Sequence, residues 1–232
     1  MQVAFNAPHT PLAAPAELIA KYKSDALYTA VIEGLDIGIG RILASLDEQG
    51  LRANTVVVFC SDNGATRRFS PNTPLSFGKG TVQEGGIRVP MIVRWPGRIT
   101  AGTSNDLIAA HYDLPATLAE IAGTKFDAQS DGISILPSLL GQDDSQKKHD
   151  FLFWDFAGYG GQLAVRMGKW KGIKQNLKKN PNAALKLYNL EEDIGEQINV
   201  VEKHADIAQQ MESIMLEQRT MPSIEKFRFG RY

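Results

Sequence analysis

Few features are scarcer in this chain than cysteine: Cys60 stands alone among 232 residues. No internal disulfide is therefore available, and the thiol count says little about compartment. Charge of one sign is absent too. Twenty-five Lys and Arg face 26 Asp and Glu, a formal net charge of -1, which argues against general nucleic-acid binding. No apolar run is long enough to span a membrane. The opening Met1-Gln2-Val3-Ala4-Phe5 has neither a basic region nor a long apolar stretch, so no signal peptide is expected. What is present is ordinary for a globular protein: 43% hydrophobic and 22% charged residues. The length fits one domain or one domain with an appendage.

The most informative stretch is Val56-Val57-Val58-Phe59-Cys60-Ser61-Asp62-Asn63-Gly64. Its apolar, β-branched run predicts a strand buried on both faces, as in parallel sheets covered by helices. Asp-Asn-Gly then breaks it. By spacing alone, Asp62 and Asn63 read either as a turn or as a pair of hard oxygen donors at the carboxyl end of a strand. That is where ligands of open α/β sheets bind, and such donors suit Ca²⁺ or Mg²⁺. Cys60, inside the apolar run, reads as inert core.

Residues 2–5 predict a strand ending at Asn6-Ala7-Pro8-His9-Thr10-Pro11, where flanking prolines stiffen the backbone around His9. A helix from Pro15 to Tyr22 follows, then a long one from Ser24 to Gln49 with Leu27, Val31, Leu35, Ile39, Ile42 and Leu46 on one stripe. Gly50 stops it. Together these predict a βαβ unit, with His9 and Asp62-Asn63 at strand ends facing the same way. Glu33 and Asp36 read as helix surface.

Further on, Lys79 lies between two glycines, a point-charge clamp for an anion, though not a Walker loop. Glu84 and Arg88 read as a structural pair. Met91 to Trp95 predicts another buried strand. His111 to Ala122 predicts a helix capped by Asp113, with Leu114, Leu118 and Ile121 inward. The polar run Gln142 to Lys148 is the expected internal boundary, between a domain over 1–141 and a subdomain over 142–232. In the latter, Phe151–Phe156, Leu163–Ile173 and Leu185–Leu190 predict three antiparallel strands. His204 to Arg219 predicts an amphipathic helix with Ile207, Met211, Ile214 and Met215 inward, and a loosely held tail follows from Met221. Arg166, Lys169, Lys171, Lys174, Lys178, Lys179 and Lys186 form a basic run without an acid among them. It reads as a solvated sheet face balanced by Glu191, Glu192, Asp193 and Glu196, or as a rim steering an anion.

The ordered pair S-D-N-G and G-K-G-T-x-x-E-G-G-I-R-V-P, at Ser61–Gly64 and Gly78–Pro90, resembles the formylglycine-dependent sulfatase family of the alkaline phosphatase superfamily. So do the H-x-P segment at His9, the D-G-x-S piece at Asp131, the A-V-R-x-G-x-W-K piece at Ala164–Lys171 and Leu187-Tyr188-Asn189-Leu190. Asp193-Ile194-Gly195-Glu196 departs from the family's D-P-G-E in one turn residue.

The resemblance implies an α/β fold: part of a helix-flanked, mostly parallel sheet, plus a small antiparallel sheet with a helix. It implies sulfuric ester hydrolysis, with Asp62 and Asn63 on Ca²⁺, or less readily Mg²⁺. Lys79 and His9 would be catalytic and would hold the sulfate. The substrate would be a sulfated small molecule or a sulfated glycan, and the location periplasmic or extracellular. The family's nucleophile, a formylglycine made within a [CS]-x-P-x-R segment, has no match here: Cys60-Ser61-Asp62, Ser70-Pro71 and Ser138-Leu139 all fail the pattern. The expectation is thus a carboxyl-terminal part of a sulfatase that hydrolyses nothing by itself and associates with a missing amino-terminal half or with itself. The alternatives are a phosphonate or phosphate ester hydrolase of the same superfamily, and a non-catalytic binder of sulfated glycans.

Overall fold

The computed structural model describes residues 1–69, 71–126 and 129–231; Ser70 lies outside them. The fold is α/β. The chain divides into two compact units, one built from 1–58 and 93–101, the other from 59–92 and 102–232. The polar run 142–148 falls inside the second unit.

In the first unit a short helix, α1 (Ala16–Ile19), precedes the long α2 (Ala26–Glu48). Asp25, in the left-handed region at φ 46°, starts α2, and Gly50 at φ 68° turns the chain after it. Ala30 and Val31 are the fully buried residues of α2, whereas Leu27, Ile32 and Ile37 are exposed. Glu33 accepts from Lys21 at 2.5 Å and from the Tyr22 hydroxyl at 3.0 Å, so it is a surface ion pair. Residues 2–5 form no strand. Phe5 instead lays its ring against α2, where a Cβ on Gly38 would stand 3.3 Å from it. The expected βαβ unit therefore lacks its first strand: the aromatic side chain found a glycine notch on the helix rather than a sheet edge.

The strands β1 (Val57–Cys60) and β2 (Met91–Arg94) are neighbours in a two-stranded sheet. All of β1 is half-buried, and β2 begins exposed, with Ile92 64% accessible. The expectation of fully buried strands is not met, because each has a single strand neighbour among the described residues.

In the second unit α3 (Glu84–Ile87) is a single turn, and α4 (Asp113–Ile121) is nine residues long. Asp113 is not the cap of α4. It is buried in the first turn, accepting from the Ala110 and Ile133 amides and lying 2.8 Å from His149 Nε2. The inward face of α4 is Asp113, Ala116 and Thr117, while Leu118 is 49% exposed. Polar anchoring of Asp113 and Thr117 to the 133–135 segment rotates the helix away from its apolar stripe. A further turn, α5 (Leu136–Leu139), follows.

The carboxyl-terminal part is an antiparallel meander of four strands: β3 (Leu152–Phe156), β4 (Gln162–Met167), β5 (Trp170–Gln175) and β6 (Lys186–Asn189). The single strand expected over Leu163–Ile173 is a hairpin. Met167 pairs with Trp170 across Gly168 (φ 51°) and Lys169, a turn without the usual Asn-Gly or Asp-Gly mark. Both faces of the sheet are covered. Leu163, Val165 and Leu187 pack with Met211 and Met215 of α6 (Ala205–Glu217), which crosses β5 where a Cβ on Gly172 would sit 2.6 Å from Met211 Sδ. Ala164, Ile173 and Tyr188, on the opposite face by strand alternation, pack with Val82.

The segment after α6 is not loose. Phe229 is buried in the α6 core, its ring under the Arg219 guanidinium at 4.5 Å, and Arg219 donates to Asp155 at 2.9 Å. Its apolar side chain outweighs the freedom of a terminal segment. Phe229→Ala is expected to lower unfolding stability by about 3–5 kcal/mol, the range for emptying a buried aromatic site. A denaturant titration showing no change would return this segment to solvent.

Candidate functional site

Where β1 ends, three backbone segments of the second unit are woven together. Ser61 Oγ donates to the Asn63 carbonyl at 2.8 Å, closing the turn. Gly64 N donates to Gly86 O at 2.9 Å, and Lys79 N donates to Ala65 O at 3.0 Å. Asn72 Nδ2 bridges the Ala65 and Phe77 carbonyls at 3.0 and 2.9 Å. Glycine is required at 64, because a Cβ would collide with the Gly85 carbonyl. The weave sets the Asp62-Asn63 backbone and the Lys79 backbone on one connected platform.

Asp62 and Lys79 are exposed and Asn63 is half-buried. His9 belongs to the first unit, where it is exposed with Nδ1 2.7 Å from the Thr10 carbonyl. Its backbone N donates to Asn6 O at 2.7 Å, so a tight turn, not a strand end, carries it. Sequence reasoning passed over His111. Just ahead of α4, its Nε2 lies 2.9 Å from the Ser61 carbonyl, one residue before Asp62. Its only sequence sign is an imidazole in the loop leading into a helix.

Asp62 and Asn63 supply two hard oxygen donors, and among the described residues no cluster of three His, Cys, Asp or Glu side chains could hold a metal. Two donors suit part of a Ca²⁺ shell, which takes six to eight oxygens. A cleft of about 410 Å³ opens beside Asn72, Ser76, Phe77 and Glu196, and another of about 400 Å³ beside Asn105, Ser138, His149 and Arg166. Neither is lined by Asp62, Asn63 or Lys79, which lie on an open surface of this chain.

The platform is fastened from behind. Lys171, on the sheet face that meets Val82, is fully buried, with Nζ 2.7 Å from Glu84 Oε1 and 2.9 Å from Glu196 Oε1. Glu84 also takes Arg166 at 3.3 Å and Arg88 at 3.7 Å. Glu196 accepts from the Glu84 amide at 2.9 Å and from the Ser76 hydroxyl. Gln162 adds a second tie, donating to Gly80 O at 3.1 Å. Burial pulls the Arg166 guanidinium below its ordinary value, and Glu84 opposes that. The expected Glu84–Arg88 pair exists, but it is the outer edge of a larger buried network. The basic run is not one solvated face: Lys171 is interior, and Lys174 pairs with Glu212 at 2.5 Å.

The model of the family described as Sulfatase matches residues 1–124, and that described as N-sulphoglucosamine sulphohydrolase, C-terminal matches 75–221. A sulfatase of Formosa agariphila is 34% identical over 230 residues, covering 86% of this chain and 41% of that protein. Human arylsulfatase A is 37% identical over 143 residues, 59% of this chain and 28% of its own length. Among solved structures, Ps i-CgsB in complex with k-i-k-neocarrahexaose superposes with a TM-score of 0.81 at 31% identity, over 91% of this chain and 48% of that one. The chain thus spans less than half the length of these relatives.

Removing one partner of a buried ion network leaves charge unpaired and costs about 3–5 kcal/mol. Lys171→Met is expected to destabilise by that amount, and adding Glu84→Gln and Glu196→Gln to recover much of it. Equal stability of Lys171→Met and the parent in urea would contradict this. Burial first, then Glu196 and Asp193, push the Tyr188 hydroxyl above its ordinary value of 10.0. A raised value in the folded state gives stability that is whole below pH 10 and is lost as pH climbs past it. Tyr188→Phe is expected to flatten the fall in melting temperature above pH 10; an unchanged alkaline slope would contradict it.

Proposed function

The chain belongs to the sulfatase family, and on that premise we propose that it supplies part of a sulfate-ester site, with Asp62, Asn63, Lys79 and His9 as its contribution. The observation that carries the reading is the woven platform. It fixes the Asp62-Asn63 turn and the glycine-flanked Lys79 in one backbone network while leaving Asp62 and Lys79 exposed and Asn63 half-buried.

A sulfate ester resists attack because its oxygens already repel a nucleophile. Fixed positive charge and hydrogen-bond donors around those oxygens lower the barrier. Lys79, held by its backbone to Ala65, places an ammonium against a sulfate or leaving-group oxygen. The resemblance of its H-x-P segment would give His9, in the first unit, a hydrogen bond to the sulfate. Asp62 and Asn63 would hold Ca²⁺ together with oxygens from outside this chain. When bound, the ion draws negative charge from the sulfate. His111 steadies the Ser61 carbonyl and so the direction of Asp62.

The same reading holds that turnover needs a formylglycine segment that these 232 residues do not carry, as no [CS]-x-P-x-R pattern occurs among them. A sulfated glycan is the substrate class favoured, because a relative of 31% identity was crystallised with a neocarrahexaose. An exported location belongs to the same proposal.

The test is a chimera in which this chain replaces the matching part of the Formosa agariphila sulfatase. The 232-residue chain alone is expected to release no product from an aryl sulfate, and the chimera to turn it over. Lys79→Ala in the chimera is expected to lower kcat roughly 100- to 1,000-fold, the usual cost of one transition-state donor. Turnover by the lone chain, or a Lys79→Ala chimera of full activity, would sink the proposal.

A further inference from the structure

Tyr159 is 77% exposed, yet it is not a casual surface residue. Its backbone sits in the left-handed region at φ 45°, a conformation that costs a non-glycine residue free energy and persists where surroundings enforce it. It stands in the loop between β3 and β4, Ala157-Gly158-Tyr159-Gly160-Gly161. Phe156 supports its ring at 6.2 Å with a 33° tilt. The ring rests on Gly80, next to Lys79: a Cβ at Gly80 would come within 2.5 Å of Cε2 and 2.9 Å of Cζ. Only a residue without a side chain lets the aromatic ring lie there.

On its other side this loop is bonded to a second one. Lys178 N donates to Gly160 O at 2.9 Å, and Leu177 N to Gly161 O at 3.1 Å. Lys178 and Lys179 are exposed. The basic run thereby resolves into parts. Lys171, Arg166, Lys169 and Lys174 are committed to carboxylates, whereas among the described residues Lys178 and Lys179 pair with no carboxylate, Lys178 Nζ donating only to the Lys226 carbonyl at 3.5 Å. The exposed ring thus touches Gly80, the chain neighbour of Lys79, and its own loop is bonded through the backbone to the loop that carries Lys178 and Lys179.

Resting on the site proposed above, we infer that Tyr159 is a stacking platform for the sugar ring that carries the scissile sulfate, and that Lys178 and Lys179 receive a second sulfate further along the glycan. The apolar C–H face of a pyranose matches the electron-rich face of an aromatic ring. A second sulfate further along the glycan matches the ammonium groups of the loop bonded to Gly160 and Gly161. The ligand class is therefore a glycan with at least two sulfates on different sugars. A monosulfated aryl ester would meet only the Lys79 side. Tyr159 acts as a specificity-determining residue here.

Saturation-transfer NMR on the intact chain tests this, with neocarrahexaose, its desulfated form and a monosulfated galactose as probes. The sulfated hexasaccharide is expected to receive saturation at its ring C–H protons. Tyr159→Ala is expected to weaken binding about tenfold while Tyr159→Phe keeps it, with melting temperature unchanged in both. Lys178→Ala with Lys179→Ala is expected to weaken the hexasaccharide about tenfold, to reduce its salt dependence, and to leave the monosulfated sugar alone. Full binding by Tyr159→Ala overturns the platform, and equal binding of the desulfated hexasaccharide overturns the sulfate-receiving role of Lys178 and Lys179. If binding depends on Lys79 but not on Tyr159, the platform alone fails. If the hexasaccharide binds neither the intact chain nor the chimera, or binds equally well to Lys79→Ala, the site reading fails and takes the platform with it.

Discussion

An ammonium enclosed by two carboxylates is the constraint on which the second unit depends. Lys171 reaches Glu84 from one segment and Glu196 from another, at 2.7 and 2.9 Å, and all three side chains are buried. Desolvating three charges is expensive, and such networks seldom add net stability over an apolar filling. What they impose is position. A slipped register would leave a carboxylate buried and unpaired, so the glycine-rich segment has one seat on the sheet.

The consequences propagate outward from that seat. Val82 packs between Ala164, Ile173 and Tyr188, and Gln162 ties the Gly80 carbonyl. Gly86 O then takes the Gly64 amide, and Ala65 O takes the Lys79 amide. Sheet, buried charges, glycine-rich turn and the Asp62-Asn63 turn form a chain of direct contacts. Asp62, Asn63 and Lys79, three of the groups the proposed chemistry uses, are mounted on that base, as preorganised catalysis requires. The Tyr159 loop, leaning on Gly80, belongs to the same assembly.

Much of this was legible in the residues. The two helices of the first unit, the antiparallel pairing of the carboxyl-terminal strands and α6 with Met211, Ile214 and Met215 inward follow from periodicity, and the end of α2 from Gly50, whereas the Gly168-Lys169 turn that divides β4 from β5 carries no usual mark. The family could be recognised from S-D-N-G and G-K-G-T-x-x-E-G-G. What periodicity could not supply was partner choice. Val3 and Phe5 have the composition of a strand, but Phe5 met a glycine on α2. Leu118 lies on an apolar stripe, but Asp113 and Thr117 were anchored by hydrogen bonds, and the polar face went inward. Lys171 looked like one more surface cation. Strand alternation puts it on the face of Ile173, and that clue has force only once Val82 is known to cover that face. Of the site, the Asp62, Asn63 and Lys79 neighbourhood was readable as motif, whereas the contact of His111 with Ser61 is long-range and leaves no local trace.

Native-state hydrogen exchange of the intact chain would test the central claim most directly. If the buried Lys171 network seats the glycine-rich turn on the sheet, the amides of Gly64, Gly85 and Gly86 should exchange only through the opening that exposes Lys171 and Ile173, with the same free energy and the same dependence on denaturant. Exchange of the Gly64 and Gly86 amides through a small, denaturant-independent fluctuation, while β5 stays protected, would contradict it.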